Sequence, residues 1–203
     1  MDGLHVKAYI GERYKKYVEA CYQAEVIPLQ KGSNFYHLLM PYLEITANTE
    51  EEDLDELVEQ EMEASNEDPS EENIERKKAQ IRKGIVTIEL PLVNKKVYNS
   101  KGQKVYVCNT LYRNRLSLQG QKVIKKFFER EFKKQFRTFM DGWIENEMGK
   151  MSKEQVYVKM KEGVAAFFLQ YHIDFTAQDI SAFARDWYRH RDKVEDNKRS
   201  PFL

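Results

Sequence analysis

Cysteine is scarce in this chain: Cys21 and Cys108 are the two in 203 residues. Two cysteines make no disulfide framework, and they suit a reducing compartment. Long apolar runs are missing as well. No stretch of about 18 apolar residues occurs, so no segment reads as a transmembrane helix. The opening MDGLHVKAYIGERYKK has no apolar signal-peptide core, which makes the cytoplasm the expected site of synthesis. Glycine-rich phosphate loops are absent. GKMSKE at 149–154 sets a lysine beside a helix start, but without the GxxxxGK pattern or a preceding strand. The histidines (His5, His37, His172, His190) make no two-histidine metal spacing, and the acids lack the alternation with glycine of a calcium loop. His172 with Asp174 and Asp186 with His190 read as surface ion pairs. These absences lead to the expectation of a protein with no cofactor, no metal and no catalytic site, an unrecognised enzyme being the remote alternative.

Net charge is the last thing lacking: 33 lysines and arginines balance 33 acids. The balance is an average over two opposed blocks. Glu50 to Glu75 holds fourteen acids and no base, whereas Arg76 to Arg137 holds eighteen bases against Glu89, Glu129 and Glu131. Such asymmetry marks a chain that meets charged partners, or itself. Charged residues reach 33%, above the ordinary quarter, beside 41% hydrophobic and 12% aromatic residues, enough for a core.

The hydrophobic periods predict a mainly α (α+β) fold: a helical bundle, a small antiparallel hairpin or three-stranded sheet, and an acidic arm that is helical or partly disordered. One domain of 203 residues is expected. Residues 1–45 read as N-terminal helices, with Val6, Ile10, Tyr14, Tyr17, Val18 and Cys21 on one face and FYHLLMPYL as a second, short helix. Residues 46–84 form an acidic-to-basic arm. Thr49 and Glu52 make a capping box there, and a second helix opens near Asp68 and Pro69 and stops at Gly84. IVTIELPLV (85–93) reads as a strand, and KKVYNSKGQKVYVCN as a hairpin, completing a sheet over 85–109. Helices fill 110–190. The longest, about 118–148, repeats Ile124, Phe128, Phe132, Phe136 and Met140 every fourth residue, and Gly149 is its expected stop. Ser152 with Gln155, and Thr176 with Asp179, open two more. Residues 191–203 read as a polar tail.

Two surfaces stand out as partner-binding. On the arm, Leu54, Leu57 and Val58 make a stripe thin for a self-sufficient helix but adequate for docking in a groove, flanked by Glu52, Asp53 and Glu56. The alternative is that the arm folds back on the chain's own basic helix. On the long helix, Lys122, Lys126, Arg130, Lys133, Lys134 and Arg137 form a basic face able to track phosphates or meet an acidic protein surface.

The helical body, the hairpin, the charged excursion and the polar tail, with the style of YHLLMPYLE, VYNSKGQKVYVCN and FARDWYRHR, resemble the small ring or adaptor proteins in the head-to-tail connector of tailed phages, including crAss-like phages. The likeness is one of layout and transfers no functional residue. It implies an oligomeric structural protein of the virion that joins portal to tail around the DNA channel, without catalysis. Its partners would be copies of itself and neighbouring assembly proteins, with nucleic acid on the basic face and no membrane. The alternative is a nucleic-acid-binding regulator that uses the helix at 118–148 or the last helix at 177–190, with the acidic arm as autoinhibitor.

Overall fold

The computed structural model describes residues 4–91, 97–98, 104–105, 113–144 and 151–199. The chain is mainly helical with a small sheet, an α+β fold, and it divides into two compact units, Met1–Glu129 and Arg130–Leu203.

The first unit opens with strand β1 (Leu4–Tyr9), where a helix was expected from Val6 onward. Two periods compete in this stretch. Val6 and Ile10 are four apart, but Val6, Ala8 and Ile10 are buried while His5 and Lys7 are exposed, which is the alternation of a strand. Pairing with a distant strand decides the matter. Gly11, at φ +93°, then turns the chain into α1 (Glu12–Tyr22). β2 (Val26–Pro28), α2 (Asn34–Leu39, capped by Ser33), a 3₁₀ turn (Met40–Tyr42) and β3 (Leu43–Thr46) follow. The region read as N-terminal helices therefore contains three strands.

Helices α3 (Glu50–Ser65) and α4 (Glu71–Lys83) come next, then β4 (Ile85–Leu90). Short β5 (Val97–Tyr98) and β6 (Lys104–Val105) pair antiparallel, as the hairpin reading expects; the turn between them lies outside the described residues. The three-stranded sheet is built otherwise than expected. Its order is β1-β4-β2, with β1 antiparallel and β2 parallel to the central β4. The hairpin is separate from it, and β3 pairs with β7 (Arg113–Leu116) in another two-stranded sheet. Contiguous strands were the natural guess; the missing information was that β1, which pairs with β4, was a strand at all.

Register makes the sheet two-sided. Val6 faces Ile88 and Ala8 faces Val86, all buried on one side. Tyr9 pairs with Ile85 on the other side, where Leu54, Leu57, Val58 and Met62 of α3 and Ile81 of α4 close a second core. The junction is tight. The Gly84 carbonyl accepts from Ile10 N (3.0 Å) and Gly11 N (3.3 Å), and a Cβ on Gly84 would lie 2.6 Å from Gly11 Cα.

The long helix α5 runs from Leu118 to Ile144, and the unit boundary falls within it, between Glu129 and Arg130. Its expected end near Met148 and the stop at Gly149 lie outside the described residues. At its start the Gln121 side chain accepts from Tyr9 N (2.9 Å) and donates to Lys7 O (3.2 Å).

The second unit is helical. Phe132, Phe136, Met140 and Ile144 of α5 are buried with Met160, Val164, Phe167 and Phe168 of α6 (Lys153–Gln170) and with Ala184 and Trp187 of α7 (Ala177–Arg199). Rings meet edge to face: Phe132 with Phe167 at 5.5 Å, and Phe168 with Phe183 at 5.0 Å. Ser152 and Gln155 form the expected capping box, and Thr176 and Asp179 exchange the equivalent bonds. The expected polar tail is corrected in part, because α7 continues to Arg199. Nothing in DKVEDNKR breaks a helix; Pro201 is the first residue of the sequence there that would.

Candidate functional site

The acidic block is folded structure. Thr49 caps α3 through the expected box, with Thr49 N donating to Glu52 Oε2 at 2.6 Å. Leu54, Leu57 and Val58, read as a docking stripe, are only 6%, 7% and 3% exposed. The protein's own Tyr9 and Ile81 cover them, so this expectation is corrected. The stripe looked thin because Met62 extends it and the sheet's second face, invisible in the sequence, completes it. Pulling it out would cost about 1.5–3 kcal/mol per large side chain.

Around that core, the carboxylates of α3 meet cations from four elements. Arg82 of α4 pairs with Glu51 (2.8 Å), and Lys78 with Asp55 (2.7 Å). Lys7 of β1 pairs with Glu50 (2.6 Å), and Lys125 of α5 with Glu61 (3.0 Å). The Lys125 ammonium also lies over the Tyr9 ring, 4.8 Å from its centre. Arg115 of β7 is the hub. Its Nη1 donates to Asp53 and to Glu56, both at 2.9 Å, and its Nε to Glu44 at 3.3 Å. The alternative reading, fold-back on the long basic helix, is met at the Lys125–Glu61 pair, while the other cations on α3 come from β1, β7 and the arm's own α4.

Proton affinities follow the pairing. Burial alone would lower the Arg115 pKa, but the hydrogen bond to Asp53 and the charges of Glu56 and Asp53 outweigh it and push it up. The hydrogen bond to Asp55 raises Lys78. Just past α3, Glu67 accepts from Lys77 (2.7 Å) and Arg76 (2.8 Å), and the Lys77 bond holds its carboxyl below the usual range.

Arg115, Asp53, Glu56, Lys7 and Gln121 line a cavity of about 50 Å³, room for water and far below the ~300 Å³ of a small-molecule site. Beside it, between α3 and the start of α5, runs an open groove of about 590 Å³ lined by Glu56, Glu59, Gln60, Glu63, Leu118 and Lys122. Among the described residues no group of three histidine, cysteine or acidic side chains could hold a metal ion, and no helix is long and apolar enough to cross a membrane.

The basic face behaves differently from the arm. Lys122 and Lys126 in the first unit, and Lys133 and Lys134 in the second, are exposed and have no ion-pair partner among the described residues. Arg130 is 74% exposed, with Glu131 of its own helix at 3.8 Å. Lys122 and Lys126 in the first unit, and Arg130 and Lys134 in the second, are each four apart, so each pair shares the side of α5 away from the buried residues of its own unit. Like charges at that spacing repel by about 0.2–0.5 kcal/mol per pair. Arg137 departs from the face: it is half-buried, donates to Asp186 of α7 at 3.4 Å, and has its Nε buried with no partner. That bond also takes Asp186, which sequence spacing had offered to His190.

Lys7, Lys78, Arg115, Lys125 and Gln121 escaped the sequence reading. Charge counting showed that bases were available, but Arg115 becomes a hub only once β7 pairs with β3 and brings Glu44 opposite it. No family model matches this chain, and neither a curated protein nor a solved structure is significantly similar to it.

Proposed function

We propose that the protein is a non-enzymatic structural protein of a larger assembly, a ring or connector component of a phage virion that joins portal and tail, with the outer face of α5 as a contact surface. One observation carries the reading. The acids of α3 are largely consumed inside the fold, while Lys122, Lys126, Lys133 and Lys134 have no partner among the described residues. A row of cations that repel one another costs the free chain stability, and an acidic partner relieves that cost. The layout that resembles phage connector proteins supports the choice of assembly.

A second reading, a nucleic-acid-binding protein, draws on the same row, since cations repeated along one exposed helix face suit a phosphate backbone. Light scattering and a mobility shift with random duplex DNA separate the two. The assembly reading expects association of the chain with itself or with neighbouring assembly proteins; a strict monomer, alone and with those proteins, defeats it. The nucleic-acid reading expects a complex at low salt that Lys133→Glu with Lys134→Glu abolishes, and it fails if the wild type gives no shift.

A further inference from the structure

In the first unit, the outer sides of α3 and α5 carry opposite charges next to each other. Glu59 and Glu63 are exposed on α3, and Lys122 and Lys126 are exposed on α5; none of the four has an ion-pair partner among the described residues. Within each pair the residues are four apart, so both stripes repeat at about 6 Å. The ion pair between Lys125 and Glu61 at 3.0 Å fastens the two helices, which fixes the distance between the stripes. Between them lies the open groove, with Leu118 as an exposed apolar residue in its lining.

A patch with an acidic stripe on one side and a basic stripe on the other is complementary to its own image after a half-turn. A patch of one sign is not. Two-fold contacts are isologous: if residue i of one copy meets residue j of the other, j also meets i. We infer that this face is a two-fold self-association surface, in which Glu59 and Glu63 of one copy meet Lys122 and Lys126 of a second copy, and the reverse. Charge complementarity selects the second copy over other occupants, because the same four residues satisfy both halves of the contact. The groove admits the opposing lysine side chains without moving α3, whose apolar side is anchored in the core. The inference rests on the reading of α5's outer face as a contact surface, and it names the partner for one end of that face.

Sedimentation velocity on the full chain at low and at high salt tests it. A dimer is expected at low salt and should dissociate at high salt, where exposed charges are screened. Glu59→Lys with Glu63→Lys makes the patch wholly basic, and Lys122→Glu with Lys126→Glu makes it wholly acidic. Each double variant alone should lose association by more than about tenfold, since like charges then face each other. An equimolar mixture of the two should dimerise again, a result that misfolding of either variant could not produce. A wild type that stays monomeric at low salt across the accessible concentrations, or variants that dimerise as the wild type does, would overturn the inference. If that monomer still binds duplex DNA or an acidic assembly protein, the contact-surface reading survives and only the self-association is lost. If it binds neither, both fall.

Discussion

In the first unit, α3 reaches its neighbours through Lys7, Lys78, Arg82, Arg115 and Lys125 over a modest apolar core. In the second, Arg137 pairs with Asp186, but ring against ring dominates the packing, with the Trp187 indole N–H donating to Asp141 at 2.8 Å. The difference shows two ways of using a charged sequence. The second unit leaves Lys133 and Lys134 outside its packing and sets Lys159 and Arg191 over the rings of Trp143 and Trp187, at 5.3 and 5.7 Å. The first cannot, because α3 is acidic over most of its surface outside the apolar stripe, and so it recruits cations from β1, α4, β7 and α5. Arg115, its hub, is the expensive part: a cation about three-quarters shielded from water needs all its carboxylates in place.

The contrast can be broken most severely at the cores. Phe132→Ala in the second unit should cost about 3–5 kcal/mol, and Leu57→Ala in the first about 2–5 kcal/mol. Urea titrations followed by far-ultraviolet circular dichroism would check both; a Leu57 variant as stable as the wild type would mean that α3 is not anchored as described. Next in size is the junction between β1 and α4. Gly84→Ala sets a methyl against Gly11 backbone, which has no flexible end to yield, and should cost about 1–3 kcal/mol in the same titration. The smallest effect, and the most selective, is that of pH. Glu67 is held below its ordinary value of 4.5, chiefly by the Lys77 hydrogen bond. Its contribution is therefore complete above that value and disappears as the pH falls through the lower, folded one. Hydrogen exchange on acidification should show α4 losing protection over that range, and unchanged protection there would separate Glu67 from the stability of the first unit.

How much of this was legible in the sequence depended on the range of the interactions. The capping boxes at Thr49 and Ser152, and the four-residue repeat from Ile124 to Met140, are local, and they appear where the residues indicated. The opening strand was misread because Val6 and Ile10 satisfy a helical period, and only pairing with β4, some eighty residues away, favours the other reading. The arm was misread for a related reason. Its stripe was identified correctly, but the face that covers it comes from Tyr9 and Ile85, which adjoin only after the sheet has formed. For the candidate site, the exposed row on α5 was readable from spacing alone, whereas Arg137 left that row because a neighbouring helix supplied Asp186.

Gln121 has a meaning for the life of the protein in a crowded solution. β1 is the outer strand of its sheet, and an outer strand offers bare N–H and C=O groups to any passing chain. By accepting from Tyr9 and donating to Lys7, a single amide imitates the next strand and takes the position at which a stranger would begin to zip on. The first turn of α5 thus serves as a doorstop on that part of the strand's open side.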